Sequence, residues 1–335
     1  MVEKTVPKKV KMAMPSLYRS WDAYLKRYCE IGGVIEAAPL CPASHVGKPS
    51  VSFFIEPSGE VNLIGSFDKF EATKYVNAGC FFPQTSLPSS NIVDLTNSVG
   101  AKLYEKGVIG HVTVDLVSFP NAMDPQGAPL YWAVDINTEY TDFAAICNYF
   151  ETLMDGKFDK AIGEYNIEVQ EEKEIPQAEE GKKHSTMAEV NEEMLARISL
   201  QNTHQEPRTF MFCNFLHHPG LATIQYKTFF HMCRLENVSF DVEKRFGTSF
   251  TMYDSLQSAI IGLMTIGVHR KQAIGFMIDA MNFIQNQAGA APNSVLLDHE
   301  ADSIQIHDVI ATVRHINRAI ESKTKGGGKE TSFLN

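Results

Sequence analysis

No run in these 335 residues approaches the ~20 consecutive apolar positions of a membrane-spanning helix. The N-terminus also lacks the apolar core of a secretory signal. Cations are in the minority, with 30 lysines and arginines against 40 aspartates and glutamates, a formal net charge of −10. No basic stripe is visible. That excludes the electrostatic footprint of a non-specific nucleic-acid binder and disfavours an anionic membrane surface as partner. The run Lys8-Lys9-Val10-Lys11 is short and reads as a solvated tail. The six cysteines form no Cys-x-x-Cys pair, and no histidine lies at zinc-site spacing from two of them. Free thiols in a reducing, cytoplasmic compartment are therefore expected. A phosphate-binding Gly-x-x-x-x-Gly-Lys-Ser/Thr loop, a Gly-x-Ser-x-Gly elbow and a His-Glu-x-x-His helix are all missing. His217-His218 reads as a turn before Pro219-Gly220, and Asp254-Ser255 as the turn at a strand end.

Two segments carry acid or amide groups where a buried strand would carry apolar ones. They are His111–Phe119 and Tyr131–Asn137. Side chains alternate across a strand, so Asp115 points away from Val114 and Leu116, and Asp135 and Asn137 share a face. If the two strands pair, two carboxylates and a carboxamide converge on one patch. Such hard oxygen donors suit Mg²⁺. The alternative is plainer, because Asp and Asn near strand ends are commonly solvated or bound to turn backbone.

Around these strands the pattern is mixed. Residues 1–14 read as a tail, and Ser16–Cys29 as a helix stopped by Gly32-Gly33. Val34–Glu36 starts a strand. Val51–Ile55 and Val61–Ile64 flank the turn Glu56-Pro-Ser-Gly59 and predict a hairpin. Helices are expected over 90–106, with Gly107 as the stop, and over Phe143–Met154. At Glu168 the composition turns acidic and nearly free of large apolar residues, predicting a disordered linker with a short helix near Thr186–Ile198. Beyond Arg208 the order reads β-α-β-β-β-α. Its strands are Thr209–Cys213, Phe240–Val242, Thr248–Tyr253 and Ile261–Gly267, and its helices Leu221–Cys233 and Lys271–Gln285. An amphipathic helix over about 303–321 precedes a Gly/Lys tail.

Several segments, taken in order, are familiar together: Gly32–Glu36, Glu56–Glu60, Phe82–Ser86, Gly107–Gly110, Val114–Val117 and Trp132–Asn137, then Tyr226–Cys233, Gly247–Phe250 and Met264–Gly267. They resemble the C-terminal half of an ATP-grasp module, in the family of IQ motif-containing protein H, itself related to bacterial carboxylate–amine ligases. The resemblance covers roughly residues 17–165 and 208–287. It implies a chemistry in which ATP phosphorylates a carboxylate and an amine attacks the acyl phosphate. Phosphoryl transfer of that kind rests on positioning and on charge neutralisation by metal. The resemblance implies Mg²⁺ and ATP as cofactors. It places Asp115, Asp135 and Asn137 as metal and nucleotide ligands and Glu36 on the strand bordering the adenine pocket. The departures matter. Asp135 stands where the ligases usually carry Glu, and Glu139 where they carry Arg, and a carboxylate there repels phosphate. Only about 30 residues precede Gly32-Gly33, too few for the subdomain that supplies phosphate-binding lysines. Half a nucleotide cleft is expected, holding neither cofactor by itself.

The resulting expectation is an α+β chain: a tail (1–15), an ATP-grasp-like C-terminal subdomain of antiparallel sheet with helices (16–166), an acidic linker (167–207), a small α+β domain (208–288), and a C-terminal helix and tail (289–335). Its expected function is that of a non-catalytic ATP-grasp-like binding or scaffold protein. The alternative is a carboxylate–amine ligase completed by a partner chain or a missing N-terminal region. A third reading, a structural α+β protein with surface acids, gains if Asp115 and Asn137 lie more than ~10 Å apart. A protein partner is expected, and nucleic acid and membrane are not. Ile224-Gln225, Ile284-Gln285 and Ile304-Gln305 have no Arg at the spacing of an IQ helix, so calmodulin is not supported. The family resemblance also implies a ciliary or flagellar setting.

Overall fold

A computed structural model describes residues 4–12, 17–42, 45–73, 76–124, 127–170, 203–237, 241, 244–252, 260–289 and 304–325. A helical turn, α1 (Val6–Lys9), and helix α2 (Trp21–Ile31) come first. Ser20 Oγ accepts from Ala23 N at 3.2 Å and caps α2, so the helix begins five residues later than Ser16. The strand expected at Val34–Glu36 does not form. That segment is irregular, with Val34 82% and Ile35 89% exposed. Three β-branched or extended residues make a strand only beside a partner, and no described strand pairs with them.

The hairpin is present and longer than its sequence signal. β1 (Pro49–Ile55) pairs antiparallel with β2 (Val61–Thr73). The turn closes through Gly59 N donating to Glu56 O at 2.9 Å, with Gly59 at φ +89°, where a side chain would be strained. β3 (Val76–Phe82), α3 (Ser89–Glu105), β4 (Gly110–Phe119), β5 (Leu130–Asn137) and α4 (Asp142–Met154) follow. Gly107, at φ +80°, ends α3 by donating to Tyr104 O. Next come β6 (Lys157–Asp159), β7 (Glu164–Gln170), β8 (Thr203–His217), a 3₁₀ turn (Pro219–Thr223) and α5 (Tyr226–Asn237). The chain closes with β9 (Gly247–Met252), β10 (Ile260–Gly267), α6 (Arg270–Gly289), β11 (Ile304–Gln305) and α7 (Ile306–Lys325). The helix expected over Leu221–Cys233 is thus split, because Ile224 is extended between the two turns. Of Phe240–Val242 only Asp241 is described, bridged to Phe246. Asp254-Ser255, the short helix near 186–198 and the Gly/Lys tail beyond Lys325 lie outside the described residues.

One sheet joins both halves of the sequence. Its order is β5-β4-β1-β2-β3-β8-β10-β9. The boundaries drawn at 167 and 208 therefore do not separate two structural units. Ile167–Gln170 lie in β7, and Thr203–Pro207 lie in β8, which pairs with β7 from Tyr165↔Arg208 to Gln170↔Thr203. Alternating Tyr165, Ile167 and Val169 pack inward, so Asn166 and Glu168 between them are the outer face of a strand.

Each face of the sheet has its own core. On one face α3 covers Val51, Phe53, Ile55, Val112, Val114 and Leu116. Farther along the same face, α6 and α7 pack on Phe70, Phe81, Met211 and Cys213. The opposite face is aromatic. There α4 sets Ile146, Cys147 and Phe150 against Phe67, Phe82, Tyr165, Phe210 and Phe212. Burial pushes the Cys147 thiol up to about 12 and the Cys80 and Cys213 thiols up as well, so these are inert core residues.

The His217-His218 pair is a turn, as its sequence suggests. His218 Nδ1 accepts from Gly220 N at 3.1 Å. Burial, then His217 and His307, hold its pKa below the ordinary 6.5. The unfolded chain therefore binds the proton more readily than the folded one. The stability held by neutral His218 is complete above about pH 6.5 and falls as pH drops through that value towards the lower folded one. Urea midpoints should fall between about pH 7.5 and 5.5, and His218→Asn, which keeps an acceptor without titrating, should flatten that slope. An unchanged slope would remove His218 from the account.

Candidate functional site

β4 and β5 do pair, and their register sets the site. Asp115 lies directly opposite Asp135, and Thr113 opposite Asn137. Directly opposed residues share a face with Cβ atoms about 5 Å apart. The face is the one that α4 covers, since Thr113 and Asp115 alternate with the buried Val112, Val114 and Leu116. Asn137 Nδ2 donates to Asp135 Oδ2 at 3.3 Å. Three of the four residues singled out from sequence thus converge. Glu36 does not join them in the sheet, and lies on the exposed irregular segment after α2.

The surroundings of Asp115 bear most on its chemistry. Its Oδ1 accepts from Ser50 Oγ at 2.7 Å, and its Oδ2 from the Lys69 ammonium at 2.5 Å. Ser50 is fully covered, and the Lys69 and Asp115 side chains are 20% and 16% exposed. Ser50 is the β1 partner of Asp115 in the ladder. Lys69 reaches in from β2, with its ammonium 5.3 Å from the centre of the Phe143 ring on α4. A chain of hydroxyls runs beside them. Ser52 Oγ lies 2.9 Å from Thr113 Oγ1, which lies 3.0 Å from Thr141 Oγ1. Thr141 is the N-cap of α4 and accepts from Ala144 N. Asp135, by contrast, is exposed, and its Oδ1 accepts from Ile136 N at 2.9 Å. Glu139 is exposed in the turn between β5 and α4.

Do these residues fit Mg²⁺? The donor type is right, because the ion takes hard oxygens in near-octahedral geometry. The arrangement is not. Both oxygens of Asp115 already hold donors, one of them a cation, and a metal there would have to displace Lys69. Asp135 spends one oxygen on the backbone N–H of Ile136 and the other on Asn137. Among the described residues no group of three or more His, Cys, Asp or Glu side chains is arranged to hold a metal. As they stand, the residues do not fit a magnesium site. Ser50 and Lys69 were not singled out from sequence. Their signal was the continuation of the hairpin, in which Phe67 and Lys69 alternate with Asp68 and Phe70 beyond the Ile64 end of the apolar run.

Comparison with known proteins places these elements in context. Residues 2–161 match the family described as IQCH-like, ATP-grasp. Over 286 residues, 84% of its length, the chain is 26% identical to IQ motif-containing protein H of Danio rerio, and spans 23% of that protein. Among solved structures, the chain is similar to the biotin carboxylase domain dimer of Hydrogenobacter thermophilus 2-oxoglutarate carboxylase in complex with MgADP, ADP and bicarbonate. The identity is 13% and the TM-score 0.42, over 78% of this chain and 50% of that one. The biotin carboxylase of Campylobacter jejuni in its β-γ-ATP complex is 10% identical with a TM-score of 0.39, at the same coverage.

Proposed function

We propose that this chain, an IQCH-like ATP-grasp protein, is a non-catalytic binding or scaffold module that keeps the floor of a nucleotide cleft and has replaced its metal with a side chain. One observation carries the reading: Lys69 neutralises Asp115 from within the sheet. An ion pair that is mostly buried and hydrogen-bonded on both sides is costly to break, because the remaining charge is left desolvated. Glu139 points the same way, since a carboxylate at that turn disfavours phosphate. The ciliary or flagellar setting implied by the family resemblance belongs to this proposal. No helix among the described residues is long and apolar enough to cross a membrane.

The retained Asp115–Asp135 register pair favours a second reading, an ATP-dependent carboxylate–amine ligase completed by another polypeptide region. It requires Lys69 to leave Asp115. Calorimetric titration separates the two. The chain should show no low-micromolar affinity for Mg·ATP, and Lys69→Met should raise affinity for Mg²⁺ alone by freeing a carboxylate in a partly desolvated site. Low-micromolar Mg·ATP binding by the unmodified chain, with phosphate release that Asp135→Ala abolishes, would establish the ligase reading instead.

A further inference from the structure

β5 is the last strand on its side of the sheet. It pairs with β4 along one edge, and among the described residues no strand pairs with the other. An open edge presents unpaired N–H and C=O groups, and proteins usually blunt one with lysine, proline or a covering element. Leu130–Asn137 contains no lysine, arginine or proline. It shows apolar surface instead, with Leu130 44%, Trp132 40% and Ile136 44% exposed. Trp132 is held edge-on against Phe119 at 4.6 Å, so the surface is preorganised.

Charge says what would cover it. From Gly107 to Gly156 the sequence has no lysine or arginine and seven carboxylates. Asp124, Asp135, Glu139 and Asp142 are exposed around the ends of β5. Among the described residues, the lysines on this face are already paired, Lys69 with Asp115 and Lys48, two residues before Ser50, with Glu71. A second copy of the chain, adding its own β5, would bring two such acidic units together. An extended cationic segment meets complementary charge instead. The alternation on β5 refines the fit. Trp132 and Asp135 lie on the α4 side, Tyr131 and Ile136 on the α3 side.

We propose that the free edge of β5 docks an extended basic segment of a partner protein, with lysine or arginine at alternate positions and aliphatic residues between. The segment would add to the sheet as one more strand. The proposal deepens the scaffold reading and rests on it.

The test is fluorescence anisotropy of the full chain with a labelled peptide of alternating Lys and Val about as long as β5, against its Glu/Val counterpart. The Lys/Val peptide should bind, more weakly as salt rises, and the Glu/Val peptide on the order of tenfold worse or not at all. Asp135→Lys and Ile136→Lys, each checked for an unchanged melting curve, should each weaken binding on the order of tenfold. Amide hydrogen exchange should slow within 130–137 on peptide addition. Absence of binding by the Lys/Val peptide, equal binding of both peptides, insensitivity to both substitutions, protection elsewhere, or a dimer by sedimentation that either substitution dissolves would each overturn the proposal. Mg·ATP titration of the same samples keeps the two ideas apart. Peptide docking with low-micromolar Mg·ATP binding removes the scaffold reading alone, and failure of both ligands to bind removes the docking edge alone.

Discussion

Phe210→Ala should lower stability by about 3–5 kcal/mol, a large part of the roughly 5–15 kcal/mol that holds a domain folded. Phe210 is fully buried and lies between two parallel rings, Phe82 at 4.3 Å and Phe150 at 4.7 Å, each tilted by 7°. The Tyr165 ring meets it edge-on at 4.9 Å. One side chain thus joins β8, β3, α4 and β7. Truncation loses the transfer free energy of a ring and leaves a void that the neighbouring rings cannot close without leaving their own contacts. Phe210→Leu refills most of that space and should cost less than about 2 kcal/mol. Urea unfolding measures both. A loss below about 1 kcal/mol for the alanine variant would show that α4 and the sheet repack freely, and would undo the description of this face as one aromatic stack.

Asp68→Ala should cost a comparable amount, about 3–5 kcal/mol, for an electrostatic reason. Asp68 is buried on the α3 side of β2. Its Oδ2 accepts from Thr85 N at 2.8 Å and from Thr85 Oγ1 at 3.1 Å, and its Oδ1 from Ser86 Oγ at 2.7 Å. Arg270, at the start of α6, brings a guanidinium nitrogen to 3.5 Å and also donates to Pro83 O at 3.0 Å. Burial lowers the Arg270 pKa while Asp68 raises it, so the carboxylate supplies the counter-charge to a largely covered cation. Removing it leaves a backbone amide and two hydroxyls without their acceptor and a guanidinium without its counter-charge. Combining Asp68→Ala with Arg270→Met should recover part of the loss, because the stranded charge goes with it. Strictly additive losses would mean that the two side chains do not act as a pair.

Much of the local structure was legible because its signals are local. Pro57, Ser58 and Gly59 set the turn between β1 and β2, and Gly107 stops α3 because its backbone takes a conformation that side chains resist. What misled was also local evidence taken alone. Val34–Glu36 has the residue types of a strand but no strand partner among the described residues. The acidic composition at Glu168 marked a boundary, while the alternation of Tyr165, Ile167 and Val169 beneath it marked a strand. Average composition responds to the outer face of a half-buried strand and period-two alternation to its inner face, and the alternation was the better guide.

The site divides in the same way. Sequence alone determined that Asp115 faces away from Val114 and Leu116 and that Asp135 and Asn137 share a side, because alternation is a property of the extended backbone itself. Only the tertiary structure decided what meets those carboxylates. Lys69 lies 46 residues before Asp115, and the two meet because β1 lies between β2 and β4 in the strand order. That order is fixed by which apolar faces bury one another across the whole sheet, a long-range sum that no local pattern contains. The same sum leaves β5 at the edge, with Asp135 exposed and Trp132 partly so.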